Sequence, residues 1–160
     1  MARPLSVAIV GAGMGGLASA AALRRLGIDV TVYEQASQFA RLGAGIQIGC
    51  NAMKVLRGLG LEERLRSQSF YPGSWNNRDW KTGEVKFDMI FGESAEQKFG
   101  APYLLAHRGD LHAALASAAW RSPRCASRQG APNFCSALSP KIMSNLTSPV
   151  FQSRLFQERG

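Results

Sequence analysis

A short apolar run, Leu5-Ser6-Val7-Ala8-Ile9-Val10, stops at Gly11-x-Gly13-x-x-Gly16, and an Ala- and Leu-rich segment follows at once. No other feature of the chain restricts its fold as tightly. The run is short and β-branched, which reads as a buried strand. Met14 to Leu26 reads as a helix closed by Gly27, with Arg24 and Arg25 placed for its last turn. Asp29-Val-Thr-Val-Tyr-Glu34 reads as a second strand. Two strands joined by a helix make a βαβ unit, with parallel strands and a right-handed crossover.

The glycines have distinct tasks in such a turn. Gly11 allows the tight bend, Gly13 lets backbone approach a pyrophosphate, and Gly16 lets helix and strand pack closely. The helix N-terminus offers unpaired N–H groups and a positive dipole to an anion. Glu34 closes the second strand, 18 residues beyond Gly16. There a carboxylate accepts hydrogen bonds from a ribose, and its charge repels the 2′-phosphate of NADP. The spacing predicts dinucleotide binding and does not itself separate NAD from FAD.

Downstream, Gln35 to Gly49 reads as a loop with a short extended piece, and Asn51 to Leu61 as a helix with Asn51 as N-cap. Glu62 to Ser69 adds a helical turn or two. Tyr71–Trp80 and Glu84–Phe91 read as two strands around Lys81-Thr-Gly83, a hairpin. Pro102–Arg108 is extended, and Gly109–Ala119 is a helix with Asp110 near its positive end. From Trp120 the pattern stops. Four prolines, seven serines and a single acid, Glu158, occupy the last stretch without a sustained period of 2 or 3.6. Such composition buries too little apolar surface to offset ordering entropy.

The formal charge of +8 invites a nucleic-acid reading, but its distribution argues against one. Up to Ala119, thirteen Lys and Arg stand against ten Asp and Glu, so the excess sits mostly after Trp120. No nucleic-acid signature accompanies it. Cys50, Cys125 and Cys135 have neither disulfide nor zinc spacing and read as reduced thiols of a cytoplasmic protein. No segment reaches membrane-spanning length, so no membrane partner is expected, and no metal site either.

The Gly-rich turn, then Glu34-Gln35 through Arg41-Leu-Gly-Ala-Gly45 to Leu61, then His107-Arg-Gly-Asp-Leu-His-Ala-Ala-Leu115 occur in one order. In these three motifs, from about Ser6 to Ala119, the chain resembles the class A flavoprotein monooxygenases, in particular the 6-hydroxynicotinate 3-monooxygenase and salicylate hydroxylase group. The resemblance implies a Rossmann-like α/β FAD-binding unit. It places Gly11, Gly13, Gly15 and Gly16 at the phosphates, Glu34 at the ribose with Gln35 beside it, Arg41 and Gln47 near the flavin, and Arg108 at the FAD. Arginine suits this position because its fork is planar and always charged. The resemblance further implies FAD as cofactor, NADH or NADPH as reductant, and a small aromatic acid as substrate that takes one oxygen atom from O₂. It names no catalytic residue. Gln47 stands where 6-hydroxynicotinate enzymes carry His, and Cys50 where the family usually carries Pro; an amide hydrogen-bonds but moves no proton at neutral pH. His107 and His112 receive no role.

The expected organisation is a partial FAD-binding domain over 1–119, including part of a substrate-domain sheet at about 70–106, and an irregular tail over 120–160. The tail reads as an aberrant continuation or as an authentic short form. The hairpin belongs, by resemblance, to a sheet whose other strands are missing, which leaves Trp75, Trp80, Phe87 and Phe91 without cover and the chain inactive alone. Two other readings stay open: a non-catalytic nucleotide-binding module, and a piece of a different FAD or NAD oxidoreductase.

Overall fold

The structure, a computed structural model, describes residues 5–36 and 43–121, and the backbone of 125–129. The expected βαβ unit is present. Strand β1 (Ser6–Val10) leads through the glycines into α1 (Met14–Arg25), and β2 (Asp29–Glu34) returns parallel to β1 with Ser6 opposite Asp29 and Val10 opposite Tyr33. Gly27 has a φ of 77°, and the N–H groups of Leu26 and Gly27 close the helix onto Leu23 and Arg24.

Strand β3 (Gly45–Ile48) pairs antiparallel with β6 (Leu104–His107), so that Gln47 lies opposite Leu105. Between them come α2 (Cys50–Gly58), α3 (Glu62–Gln68), the hairpin β4 (Ser74–Arg78) and β5 (Val85–Ile90), and α4 (Glu93–Phe99). Helix α5 (Arg108–Trp120) follows β6 directly. Its apolar residues Leu111, Ala114, Leu115, Ala116 and Ala119 are buried, as are Leu17, Ala20 and Ala21 of α1. The alanines let the two helices approach closely, and Val30 and Val32 of β2 belong to the same core. Arg24 reaches across to α5, where its Nη1 donates to the carbonyls of Ala118 (2.8 Å) and Ala119. A cation at the carbonyl end of a helix meets its negative dipole. Arg24 thus serves the end of α5 as well as the last turn of its own helix.

Four features differ from the sequence expectation. The N-cap of α2 is Gly49, and Asn51 lies inside the first turn. Helix α4 was not anticipated, because it is seven residues long and buries only Ala95, too little to leave a period. Residues Cys125–Gln129, expected within an irregular tail, form β7, which pairs parallel with β2 from Val30 opposite Cys125 to Glu34 opposite Gln129. The edge of β2 away from β1 carries backbone donors and acceptors that need partners, and a chain emerging from α5 reaches it. The rest of the tail lies outside the described residues. Finally, every residue of β4 and β5 is exposed, Trp75 and Phe87 included, as is Trp80 in the turn between them, but Phe91 is not left uncovered: it stacks on Tyr103 with ring centroids 4.1 Å apart.

An ion network ties α2, α3 and α4 together. Arg57 donates to Glu62, Arg66 donates to Glu62 (2.9 Å) and to Glu96, and the first of these bonds is the main reason the Glu62 carboxyl sits at about 2. A depressed carboxyl contributes stability above its unfolded value and loses it as pH falls through the folded value. Because Arg57 and Arg66 are partly solvated, the contribution is about 1 kcal/mol. Glu62→Gln should therefore lower the thermal midpoint at pH 7, and the gap to the parent chain should close as pH falls from about 4.5 to 2. A gap that persists at pH 2 would refute this assignment. Among the described residues no helix is long and apolar enough to cross a membrane, and no cluster of metal-ligating side chains occurs.

Candidate functional site

The Gly-rich turn is shaped by three fixed points. The Gly11 N–H donates to the Tyr33 carbonyl at 2.7 Å, which pulls the turn onto the end of β2. The Ala12 N–H donates to Glu34 Oε2 at 2.7 Å, while Glu34 Oε1 accepts from the Ala36 N–H at 2.9 Å. On the other side, His112 of α5 donates from Nε2 to the Ala12 carbonyl at 2.7 Å. Gly11 has a φ of 91°, and a Cβ on Gly16 would stand 2.0 Å from the Gly11 carbonyl oxygen, so helix and turn touch through bare backbone.

What the turn leaves open matters as much. Gly13 is the N-cap of α1, with no side chain capping the helix and no acid in its first turn. Gly13 and Gly15 are exposed, and no described residue lies within 4 Å of where a Cβ would project from either. Among the described residues no side chain caps the first N–H groups of α1, which suits an anion. Glu34 remains ionised beside it: hydrogen bonds from the Ala36 and then the Ala12 N–H groups hold its carboxyl below the usual range. A carboxylate offers about four lone-pair sites, so the bonds from Ala12 and Ala36 leave sites on it for the hydroxyls of a ribose. A pyrophosphate next to a ribose fits this set of donors and acceptors. Gln35 is exposed immediately after Glu34.

The second group of expected residues lies around the start of α5. The Arg108 N–H donates to the Ala44 carbonyl at 3.3 Å, and the Arg108 stem packs on Gly43, whose Cβ would lie 3.1 Å from Cδ. Arg108 is itself exposed. It stands one helical turn before His112, so both side chains rise from one face of α5. That helix thereby joins the Gly43–Gly45 segment to the Gly-rich turn. Arg41 lies outside the described residues. Gln47 belongs to neither cluster: with Trp75, Met89, Phe91 and Tyr103 it lines an open cavity of about 270 Å³ between β3 and the hairpin. Burial raises the Tyr103 phenol above its ordinary value, so it stays neutral and able to donate.

Sequence reasoning gave His112 no part, and no local signal marks it, because its partner is 100 positions away. Nor did it connect Trp75, Met89, Phe91 and Tyr103 with Gln47. They come from three segments that only the β3–β6 pairing and the hairpin bring to one place.

Residues 4–127 match the family described as FAD binding domain. The chain is 48% identical over 118 residues to the 6-hydroxynicotinate 3-monooxygenase of Pseudomonas fluorescens, covering 74% of this chain and 31% of that protein. It is 41% identical over 115 residues to the 3-amino-4-hydroxybenzoate 2-monooxygenase of Streptomyces cremeus, covering 72% of this chain and 29% of that protein. Among solved structures it is similar to the tetrameric form of 2-methyl-3-hydroxypyridine-5-carboxylic acid oxygenase, with 27% identity and a TM-score of 0.67 over 81% of this chain and 32% of the other. The chain thus spans less than a third of the length of these relatives.

Proposed function

The chain belongs to the FAD binding domain family, and from that premise we propose that it forms the FAD-holding part of a flavoprotein monooxygenase that hydroxylates a small aromatic acid. The observation that carries the reading is the pairing of an uncapped α1 N-terminus with an ionised Glu34 across one turn. Phosphate and ribose need those two features side by side. Gly11, Gly13, Gly15 and Gly16 would surround the pyrophosphate, Glu34 would accept from the ribose, and Arg108 would present its charge to the cofactor from the start of α5. FAD supplies the redox and O₂ chemistry, with NADH or NADPH as the reductant, while the protein binds, orients and excludes water. The relatives named above carry substituted benzoate and pyridine names, which supports an aromatic acid as the substrate class.

Titrating the 160-residue chain with FAD, while following flavin fluorescence, tests the cofactor assignment. Saturable binding supports it, and none up to millimolar FAD overturns it.

Gln47 is placed to choose the substrate. It lines a cavity together with three aromatic residues and a methionine, a lining that suits a flat ring with one polar anchor. In a protein carrying the full length of its relatives, Gln47→Leu should shift kcat/KM between ring substrates by about tenfold, since a lost hydrogen bond and an unpaired partner cost about 1–3 kcal/mol. FAD affinity should stay within about twofold, because among the described residues no hydrogen bond links Gln47 to the Gly-rich turn. Equal loss for every ring acid, or loss of FAD, would remove Gln47 from this role.

A further inference from the structure

We propose that His112 is a positioning residue for the pyrophosphate-binding turn, acting through the Ala12–Gly13 peptide. The inference rests on the FAD reading above for its ligand, but its geometry stands alone. A carbonyl oxygen only accepts, so the 2.7 Å contact requires a proton on Nε2 of His112. The described chain has no cis peptide bonds. In a trans peptide the C=O and the following N–H point in opposite directions. Holding the Ala12 oxygen toward α5 therefore turns the Gly13 N–H away from α5.

The same residue is held from its other side, where the Ala12 N–H donates to Glu34 Oε2. One short residue thus has its donor fixed by the ribose-side carboxylate and its acceptor fixed by α5. Glycine neighbours on both sides would otherwise leave these peptides free to rotate. The clamp orders the turn before any anion arrives, so less entropy is lost on binding. It also gives a physical reason for a histidine one turn after Arg108, on the face shared with it.

A histidine that merely glued α5 to the turn would alter stability without distinguishing among ligands. The test uses the 160-residue chain and its His112→Leu and His112→Gln variants, with FAD, ADP, adenosine and inorganic pyrophosphate as probes. Gln keeps an N–H that can reach a carbonyl, whereas Leu does not. The expected result is that His112→Leu weakens FAD, ADP and pyrophosphate binding about tenfold and leaves adenosine within about twofold. His112→Gln should recover most of that loss. In the ligand-free chain, the NMR order parameter of the Gly13 amide should be near the rigid value of about 0.85 and fall below about 0.6 in His112→Leu.

Equal weakening of adenosine and ADP, in step with a lower thermal midpoint, would overturn the proposal, as would an unchanged Gly13 amide. A parent chain that fails to bind FAD, with a Gly13 amide that still loosens in His112→Leu, would count against the FAD reading and for the clamp.

Discussion

Gly16→Ala should destabilise the chain by at least about 3 kcal/mol, although it adds a single methyl group. The new Cβ would lie 2.0 Å from the Gly11 carbonyl oxygen, 3.2 Å from its carbon and 3.3 Å from Ile9 Cγ2. The first two neighbours are backbone, so no side-chain rotation relieves the contact. Helix α1 or the turn must move. Either motion breaks alignments that depend on both: the Gly11 N–H to Tyr33 bond, which anchors the turn to β2, and the Ala12 bonds to Glu34 and His112. Overpacking in an accommodating core costs about 1–3 kcal/mol, and loss of these hydrogen bonds adds about 1 kcal/mol each. For a unit of this size the thermal midpoint should fall by roughly 10 °C or more. Circular dichroism melts of the two chains check it. A midpoint within about 2 °C of the parent chain would show that the helix and the turn do not touch at Gly16.

Gly13→Val should do the reverse: leave the fold intact and abolish FAD binding. Gly13 has a φ of −68° and a ψ of 177°, extended backbone that any residue adopts, and no described residue lies within 4 Å of its projected Cβ. A valine therefore clashes with none of the described residues of the free protein. Its branched side chain would occupy the open space before the first N–H groups of α1, where the pyrophosphate is proposed to sit. A displaced anion forfeits several charge-assisted hydrogen bonds, which are about twice as strong as neutral ones. Affinity should fall by at least about a hundredfold, while the melt stays within about 2 °C of the parent chain. Equilibrium titration with FAD, paired with the same melts, separates the outcomes. Undiminished FAD affinity would place the phosphates elsewhere. Opposite responses at Gly13 and Gly16, three residues apart, distinguish a glycine kept for a ligand from one kept for packing.

The parallel unit was legible because its signals are local. A β-branched run, glycines at fixed offsets, an Ala-Leu helix and a second run ending in an acid each depend on neighbours within a few residues, and β1, α1 and β2 fall where those signals put them. The hairpin was legible for the same reason: Gly83 closes a turn in which Asp79 accepts from the N–H groups of Lys81 and Thr82. The cap of α2 differs because an Asn can serve as a cap or sit in a first turn, and the backbone is still extended at Gly49 and already helical from Cys50. Helix α4 and strand β7 were missed because each owes its existence to what it packs on or pairs with. The apolar content of either segment alone is too small to show.

By itself, then, the sequence determined the βαβ unit, the glycine-lined start of α1 and the carboxylate at Glu34, since spacing along the chain specifies backbone geometry over one turn. The tertiary structure alone decided what stands beside them. It brought His112 to the Ala12 carbonyl, Arg24 to the end of α5, and Trp75, Met89, Phe91 and Tyr103 around Gln47. Those contacts join residues separated by 28 to 100 positions. Their distances are set by how α5 packs on α1 and how β3 pairs with β6, and the burial energy that drives this packing is non-directional: it rewards the sum of apolar area removed from water and leaves no local mark of which side chains will meet.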